Sequence, residues 1–194
     1  MKQVELNIID ISYEGKGIAR KDNLVYFTDN AIDGETVTAE AYETKPKYVK
    51  AKTIQILKPS KYRTEPKCAV YNKCGGCSLR HMSYERQLKL KKDTVIANLK
   101  RIAHINIADI TIHQNPKTDY YRNKAEYKIK NGKIGFYEDK SHNIVTHEEC
   151  LLLKEEINNI KKSIEKHITK DMTALTIKEA DDGYMVIAES DKTL

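Results

Sequence analysis

Apolar and polar side chains alternate along several short runs in the first 58 residues of the chain. Val4, Leu6 and Ile8 occupy every second position, which is the period of a β-strand with one buried face. Further runs of this kind cover residues 23–27, 36–42 and 48–57. Short strands separated by turn residues predict a small closed β-barrel, a fold that often presents one face to single-stranded nucleic acid.

The apolar positions take helical spacing over residues 84–102 and again over residues 151–168, and Ser83 is placed to cap the first of these helices. Short strands are predicted at residues 110–112, 120–129, 133–137, 144–145, 175–177 and 184–188. This pattern predicts an α+β fold in two domains. An OB-like β-barrel is expected over residues 1–58 and an α+β domain over residues 59–194.

The charge balance narrows the function classes. Among 194 residues, 34 Lys and Arg face 28 Asp and Glu, which gives a net charge of +6 and an isoelectric point near 8.9. An excess of positive charge favours a polyanionic partner, with nucleic acid first and an anionic membrane second. Because no apolar run is long enough to cross a bilayer and neither predicted helix has a bulky aromatic face, we expect no membrane partner. The N-terminal residues lack the pattern of a signal peptide, so we expect a cytoplasmic protein.

Basic and aromatic residues form two groups along the chain. Seven of them are the candidate RNA contacts: Lys45, Lys47, Tyr48, Lys50, Arg63, Arg122 and Lys124. The first four surround a predicted hairpin tip, the fifth lies in the linker that follows, and the last two follow a pair of tyrosines on a predicted strand. Lysine and arginine pair with phosphates, and tyrosine stacks on bases. The same pattern is also typical of lysines that blunt an edge strand and of a half-buried strand with polar outer positions.

The cysteines show the most specific pattern. Cys68, Cys74 and Cys77 lie within ten residues, and Cys150 follows far downstream. In a reducing compartment, four thiols in this arrangement favour a metal centre over disulfides. The three-plus-one spacing differs from the paired Cys-x2-Cys units of zinc ribbons and favours an iron–sulfur cluster, with zinc as the alternative. We expect the glycine pair before Cys77 to turn the backbone around the metal through positive φ angles.

The segment from Cys74 to Leu88 reads Cys-Gly-Gly-Cys-Ser-Leu-Arg-His-Met-Ser-Tyr-Glu-Arg-Gln-Leu. It resembles the RumA/RlmD-type uracil methyltransferases, which methylate carbon-5 of a uridine in 23S ribosomal RNA. Residues 13–20, Tyr-Glu-Gly-Lys-Gly-Ile-Ala-Arg, resemble the start of that family's TRAM domain, a small RNA-binding β-barrel. Residues 135–137 and 141–145, which run towards Cys150, resemble the segment that ends in the family's fourth cluster ligand. The resemblance implies a 4Fe–4S cluster held by Cys68, Cys74, Cys77 and Cys150.

The resemblance also implies what a complete enzyme requires. Members of the family continue into a domain that binds S-adenosylmethionine and carries a nucleophilic cysteine. Here no glycine-rich loop follows a strand as a nucleotide site needs, and the four cysteines leave no thiol for attack on carbon-6 of uracil. We therefore predict the RNA-recognition and iron–sulfur portion of a 23S rRNA uracil-C5 methyltransferase, a truncated or natural fragment that is inactive alone. S-adenosylmethionine is expected to bind only the full-length enzyme.

A second hypothesis remains open. The chain is then a stand-alone metal–cysteine module, with zinc or an iron–sulfur cluster, that binds RNA or carries redox chemistry without methyltransferase activity. We expect the metal to be structural, because it would tie the segment around Cys74 to Cys150, and a redox or sensing role is the rival interpretation. His81, His142 and His147 lie near the cysteines in sequence, and we expect them to pack beside the site rather than to ligate the metal.

Overall fold

The computed structural model describes residues 3–192, and the chain divides into two compact units. The first unit comprises Met1–Glu65 and Ser78–Gln114, and the second comprises Pro66–Cys77 and Asn115–Leu194. The units interleave along the chain, because the segment with three cysteines belongs to the second unit and the chain after it returns to the first. The predicted division into residues 1–58 and 59–194 does not anticipate this interleaving.

The first unit contains a six-stranded sheet. Its strands are β1 (Gln3–Asn7), β2 (Asp10–Ile11), β3 (Gly17–Lys21), β4 (Leu24–Asp29), β5 (Thr36–Thr44) and β6 (Tyr48–Lys58). They lie in the order β1-β5-β6-β4-β3-β2, and every pair is antiparallel except the parallel pair of β4 and β6. Alternate side chains point inward, as the sequence pattern predicts, and the core includes Leu6, Ala19, Tyr26, Val37 and Val49.

The predicted closed barrel is wrong. β1 and β2 stand at the two ends of the sheet order, and within residues 3–192 no ladder joins them. The two strands belong to one stretch of chain with only Ile8 and Ile9 between them. The Ile8 amide donates to the Glu35 carbonyl at 2.9 Å, and the Ile9 amide donates to the Ile18 carbonyl at 2.8 Å. The amides of Ile8 and Ile9 thus bond to two different neighbours. The two ends of the sheet are therefore connected by the polypeptide itself and not by a ladder of hydrogen bonds.

The first unit also contains helix α1 (Tyr84–Ile102), whose predicted bounds are confirmed. The Ser83 hydroxyl accepts a hydrogen bond from the Arg86 amide at 3.4 Å, so the predicted cap is present. A small second core contains Ile11, Ile32, Met82 and Leu90. Leu90 therefore attaches the helix to the end of the sheet. The strand predicted at residues 110–112 is absent, since these residues have no regular secondary structure.

The second unit is a five-stranded antiparallel sheet covered by one helix. Its elements are β7 (Lys124–Lys130), β8 (Lys133–Tyr137), β9 (Ile144–Val145), α2 (Glu155–Glu165), β10 (Met172–Ala180) and β11 (Gly183–Ser190). The strands lie in the order β11-β10-β7-β8-β9. The core between helix and sheet includes Tyr127, Ile157, Leu175 and Ile177, which are fully buried. None of the helices in the described part of the chain is long and apolar enough to cross a membrane.

Two elements of the second unit are shorter than predicted. β7 begins at Lys124 rather than at residue 120, and α2 begins at Glu155 rather than at residue 151. The two missing ends bond to each other, because the Tyr120 amide donates to the Leu151 carbonyl at 2.8 Å and the Arg122 amide donates to Leu152 at 2.8 Å. Backbone groups used in this way are not available to lengthen a helix or a strand.

Candidate functional site

The four cysteines line one cavity of about 250 Å³ in the second unit, which we call the cysteine cavity. Its thiols are those of Cys68, Cys74, Cys77 and Cys150, all half-buried, and no disulfide joins them. Cys150 comes from a remote part of the chain, so the tertiary structure brings together the sulfurs that the sequence groups as one site. Within residues 3–192, no three His, Cys, Asp or Glu side chains are packed tightly enough to hold a single metal ion.

Backbone hydrogen bonds fix the three-cysteine segment to the end of β8. The Gly75 amide donates to the Tyr137 carbonyl at 2.9 Å, and the Asp139 amide donates to the Lys73 carbonyl at 3.0 Å. The Gly76 amide donates to the sulfur of Cys74 at 3.4 Å. An amide aimed at a sulfur favours the thiolate form, which is the form that binds metals.

The glycine pair has a different role from the one predicted. Among residues 3–192, the glycines with positive φ are Gly15, Gly34, Gly132 and Gly183. Gly75 and Gly76 are therefore not left-handed, and the expected positive-φ turn is wrong. Gly75 instead permits a close approach, because a Cβ there would lie 3.2 Å from the Tyr137 carbonyl oxygen. A side chain at this position would push the cysteine segment away from β8.

Asn158 on α2 holds the fourth cysteine in place. The Cys150 amide donates to the Asn158 Oδ1 atom at 2.9 Å, and the Asn158 Nδ2 atom donates to the Cys150 carbonyl at 3.2 Å. Asn158 is 8% exposed, and its side-chain amide satisfies both backbone groups of the cysteine. No motif in the sequence marks Asn158 as part of the site. The only sequence signal for its role is its position: Asn158 is a polar residue that directly follows Ile157, which lies on the apolar face of the predicted helix.

The sulfurs are close enough to influence one another. Burial raises the pKa of the Cys74 thiol, the Gly76 amide lowers it by a smaller amount, and the sulfurs of Cys150 and Cys68 raise it again. A thiol with a raised pKa keeps its proton at neutral pH in the absence of a cation. A metal that binds here must therefore displace protons, as thiolate ligation generally requires.

The histidines near the cysteines in sequence divide between the two units. His147 lines the cysteine cavity and stacks on Phe136, with ring centroids 5.1 Å apart and planes 12° from parallel. Burial lowers the pKa of His147. His81 belongs to the first unit and is 1% exposed; burial, followed by the charge of Arg63, lowers its pKa to about 4. Both imidazoles are therefore neutral at pH 7.

The cavity wall also carries two of the candidate RNA contacts. Arg122 and Lys124 line the cysteine cavity while remaining exposed to solvent. Arg122 is anchored through its backbone, since its carbonyl accepts from the Lys154 amide at 3.0 Å. Lys124 is the first residue of β7. In the sequence, Arg122 and Lys124 are distant from Cys68, Cys74 and Cys77. In the structure, the two cations and the cysteines line the same cavity.

The other candidate contacts lie in the first unit, around the turn between β5 and β6. Tyr48 meets Phe27 edge to face at a centroid distance of 6.0 Å, and the Lys50 ammonium lies 5.9 Å from the Tyr48 ring centroid. Glu43 pairs with Lys50 at 2.7 Å and with Lys45 at 3.7 Å. Glu43, which was not among the predicted site residues, lies just before the basic run and neutralises part of it. We call residues 43–50 the basic hairpin.

Arg63 has a structural role that the linear pattern did not predict. Its Nε and Nη2 atoms donate to the two carboxylate oxygens of Glu35 at 2.8 and 2.6 Å, and Nη2 also donates to the Asn30 carbonyl at 2.9 Å. Burial raises the pKa of Glu35, but the Arg63 guanidinium and the Ile32 amide outweigh burial, so the pKa lies below its usual value. A guanidinium engaged in this way has few donors left for RNA.

Comparison with known proteins supports part of the sequence analysis. Residues 2–54 match the sequence model of the TRAM domain family, so the predicted TRAM domain is confirmed. The chain is similar to proteins named as uncharacterized RNA methyltransferases. One from Clostridium acetobutylicum is 35% identical over 163 residues, which cover 80% of this chain and 35% of the relative. One from Bdellovibrio bacteriovorus is 32% identical over 197 residues, which cover 97% of this chain and 50% of the relative.

A solved structure supports the fold. The tRNA (uracil-54, C5)-methyltransferase of Pyrococcus abyssi, in complex with S-adenosyl-L-homocysteine, matches with a TM-score of 0.69 and 22% sequence identity. The match covers 98% of this chain and 46% of that one. This chain thus spans between 35% and 50% of the length of the relatives and of the solved structure described above. At this level of identity the structural likeness concerns the fold alone.

Proposed function

We propose that this chain is the RNA-recognition and metal-centre portion of an S-adenosylmethionine-dependent methyltransferase that modifies carbon-5 of a uracil in 23S ribosomal RNA. The observation that carries the proposal is the meeting of Cys150 with Cys68, Cys74 and Cys77 around one cavity. The TRAM match and the RNA methyltransferase relatives support an RNA partner. The 23S substrate rests on the sequence resemblance, while the solved neighbour is a tRNA enzyme.

The cavity fits a 4Fe–4S cluster held by its four cysteines. Four thiolates are the complete ligand set of such a cluster, and the cavity that the four cysteines help to line, about 250 Å³ in volume, has room for several atoms. The amide that Gly76 directs at the Cys74 sulfur is the kind of hydrogen bond that stabilises a metal-bound thiolate. When bound, the cluster supplies a cross-link between the three-cysteine segment and Cys150. Zinc is the alternative occupant.

Recognition of RNA is assigned to two surfaces, one in each unit. In the first unit, the basic hairpin offers the Tyr48 ring for base stacking, with the Lys50 ammonium 5.9 Å from the ring centroid, and it offers Lys45, Lys47 and Lys50 for phosphate pairing. In the second unit, Arg122 and Lys124 offer two exposed cations. Methyl transfer itself is not assigned to residues of this chain. All four thiols belong to the cavity, so none is left as the nucleophile that uracil methylation requires.

The metal centre is tested by purification without oxygen. We expect brown protein that contains iron and sulfide, and we expect Cys150→Ser to lose both and to melt at a lower temperature. Thr146→Ala, an exposed substitution in the same segment, serves as the control and should retain the iron. Colourless protein that contains zinc would identify the centre as a zinc site and exclude the iron–sulfur cluster. Equal iron content in Cys150→Ser and the parent would exclude Cys150 as a ligand.

RNA recognition is tested by binding titrations over a range of salt concentrations. The probes are a uridine-containing hairpin from 23S rRNA and the uracil-54 arm of tRNA. We expect tighter binding of the first and a steep loss of affinity as salt rises. Tyr48→Leu should weaken binding by about 1–3 kcal/mol, the usual contribution of one stacked base. The control is Tyr13→Leu, an exposed tyrosine outside the basic hairpin. No binding at low salt by iron-loaded protein would favour a stand-alone redox module.

A further inference from the structure

Two cations on the wall of the cysteine cavity form no direct salt bridge with the described residues. Arg122 and Lys124 both line the cavity and are both exposed to solvent. Neither side chain forms a salt bridge or a hydrogen bond with any residue between positions 3 and 192. Elsewhere in the second unit, Lys154 pairs with Glu179 at 2.6 Å and Lys161 pairs with Glu165 at 2.8 Å. The cations at the cavity therefore differ from Lys154 and Lys161, whose charges are paired within the unit.

The acids on the same wall are engaged by other groups. Glu126 accepts from the Lys128 ammonium at 2.6 Å, and Glu149 accepts from the Tyr120 hydroxyl at 2.8 Å. The hydrogen bond and the charge of Lys128 lower the pKa of Glu126, and the charge of Lys124 lowers it by a smaller amount, so this acid is ionised at neutral pH and bonded directly to Lys128. Neither acid forms a salt bridge with Arg122 or Lys124. The positive charge at the cavity is therefore available to a negative group that is not a protein carboxylate.

The backbones of the two cations are held in fixed relation to Cys150. The Arg122 amide donates to the Leu152 carbonyl at 2.8 Å, and Lys124 pairs with Lys178 of β10 in the antiparallel ladder. Leu152 is two residues beyond Cys150, and Asn158 holds that cysteine through its amide and carbonyl groups. The points at which the two side chains leave the backbone are therefore fixed relative to the fourth cysteine.

We propose that Arg122 and Lys124 form a binding site for an RNA phosphate, and that binding there is coupled to the charge of the metal centre. The inference rests on the proposed function, since it takes the cluster and the RNA partner from it. The same two cations line the cavity that holds the four thiols and are also exposed to solvent. The two cations thus attract both the metal centre and the RNA phosphate. A change in the charge of the metal centre therefore alters the attraction between the cations and the phosphate.

The coupling operates through charge alone. A 4Fe–4S cluster held by the four cysteines would become more negative by one unit on uptake of one electron from a low-potential donor, with no bond formed or broken. Arg122 and Lys124 would then be attracted more strongly towards the cavity, and a phosphate bound to them would be repelled by the added charge. RNA binds less tightly to the reduced protein as a result. By thermodynamic reciprocity, bound RNA makes the centre harder to reduce.

The test measures RNA affinity in both oxidation states and the reduction potential with and without RNA. The probe is a uridine-containing RNA hairpin, and the protein is the iron-loaded full chain. We expect the oxidised protein to bind about fivefold tighter than the reduced protein, at the lower end of known coupling factors. By the relation of 59 mV to a tenfold change for one electron, saturating RNA should lower the midpoint potential by about 40 mV.

Two double variants separate this site from general charge effects. Arg122→Gln with Lys124→Gln should abolish the redox dependence of RNA affinity and lower the potential of the RNA-free protein. Lys130→Gln with Lys133→Gln removes the same charge from the neighbouring hairpin end, which does not line the cavity, and should keep the coupling. Arg122→Lys with Lys124→Arg retains both charges and should also keep it. All of these positions are exposed, so we expect melting temperatures close to that of the parent.

The outcomes distinguish the inference from the proposed function. Iron-loaded protein that binds RNA equally well in both oxidation states would overturn the inference and leave the proposed function intact. Coupling that survives loss of Arg122 and Lys124 would also overturn it, because other cations would then carry the effect. Protein that binds no iron would overturn the proposed metal centre and the inference together. Loss of coupling in the Arg122 and Lys124 variant alone, with the hairpin variant unchanged, would support it.

Discussion

Replacement of Arg63 by methionine should destabilise the first unit through a buried carboxylate. The Glu35 side chain is fully buried, and the Arg63 side chain is 15% exposed. Methionine retains much of the arginine stem, so the principal loss is the guanidinium with its two bonds to Glu35. The Glu35 carboxylate then keeps only the Ile32 and Ser60 amides as hydrogen-bond donors, at 2.9 and 3.3 Å.

The expected magnitude follows from the cost of an unpaired buried charge. Breaking a buried ion pair by removal of one partner costs about 3–5 kcal/mol. Because Arg63 is partly exposed, we expect the lower end, about 3 kcal/mol. For a chain of this length, that loss corresponds to a decrease of about 10 °C in the melting temperature. Arg101→Met, at an exposed arginine in the last turn of α1, is the control and should cost less than about 1 kcal/mol.

The pH dependence provides a sharper test, because the variant reverses the sign of the Glu35 contribution. In the parent, the pKa of Glu35 lies below its usual value, so the ion pair stabilises the fold above the unfolded-state pKa and this contribution is lost as pH falls through the folded-state pKa. In the variant, burial dominates and raises the pKa of Glu35. Protonation at mildly acidic pH then relieves the unpaired charge, so the stability difference between parent and variant should narrow as pH falls.

The assay is urea unfolding of the parent, Arg63→Met and Arg101→Met at about pH 7 and at about pH 5. Binding of the RNA hairpin is measured on the folded proteins in parallel. A loss no larger than that of Arg101→Met, or a loss that does not change with pH, would refute the buried ion pair. If Arg63→Met reduces RNA affinity without a loss of stability, Arg63 contacts RNA as the sequence analysis predicts.

Three further predictions concern other positions. The pKa of His81 is about 4 in the folded state, against 6.5 for an unperturbed histidine, so the unfolded chain binds more protons between these two pH values. The free energy of unfolding should therefore fall by about 3 kcal/mol as pH decreases across this window. His81→Gln should remove most of this pH dependence. Gly135→Ala should cost about 1–3 kcal/mol and increase hydrogen exchange in β9, because its Cβ would collide with the Val145 carbonyl. Asn158→Ala should cost about 1–3 kcal/mol and speed alkylation of Cys150 in metal-free protein, whereas Asn159→Ala, at the exposed neighbour, should change neither.

Each of these predictions has a clear contrary result. An unchanged pH profile in His81→Gln would show that this imidazole is not held neutral by burial. Normal exchange in β9 of Gly135→Ala would show that the strand accommodates a side chain at this position. Equal alkylation rates for Asn158→Ala and Asn159→Ala would show that the Asn158 side chain does not restrain the Cys150 backbone.

Local signals in the sequence were sufficient for several elements. The bounds of α1 and its Ser83 cap follow from periodicity and from a side chain that bonds within its own turn. β8 and its hairpin turn follow from the Asn131-Gly132 dipeptide, and both residues have positive φ. These features depend on interactions between residues close together in the chain. Interactions between such close residues can therefore be predicted from the sequence pattern alone.

The sequence by itself determined the inward-facing positions of β1 and β5 and the bounds of α1, whereas Val95 and Ile102, which share the helical spacing, are exposed. It also grouped the four cysteines that line one cavity. The tertiary structure alone decided that the Arg63 guanidinium meets Glu35, that Glu43 neutralises part of the basic hairpin, and that Asn158 holds Cys150. It also decided that the N-terminal strand links the sheet ends without closing a barrel. The physical reason is that charge pairing, amide bonding and sheet closure depend on partners distant in sequence. Side-chain type and spacing specify that a group needs a partner, and only the folded chain specifies which one it has.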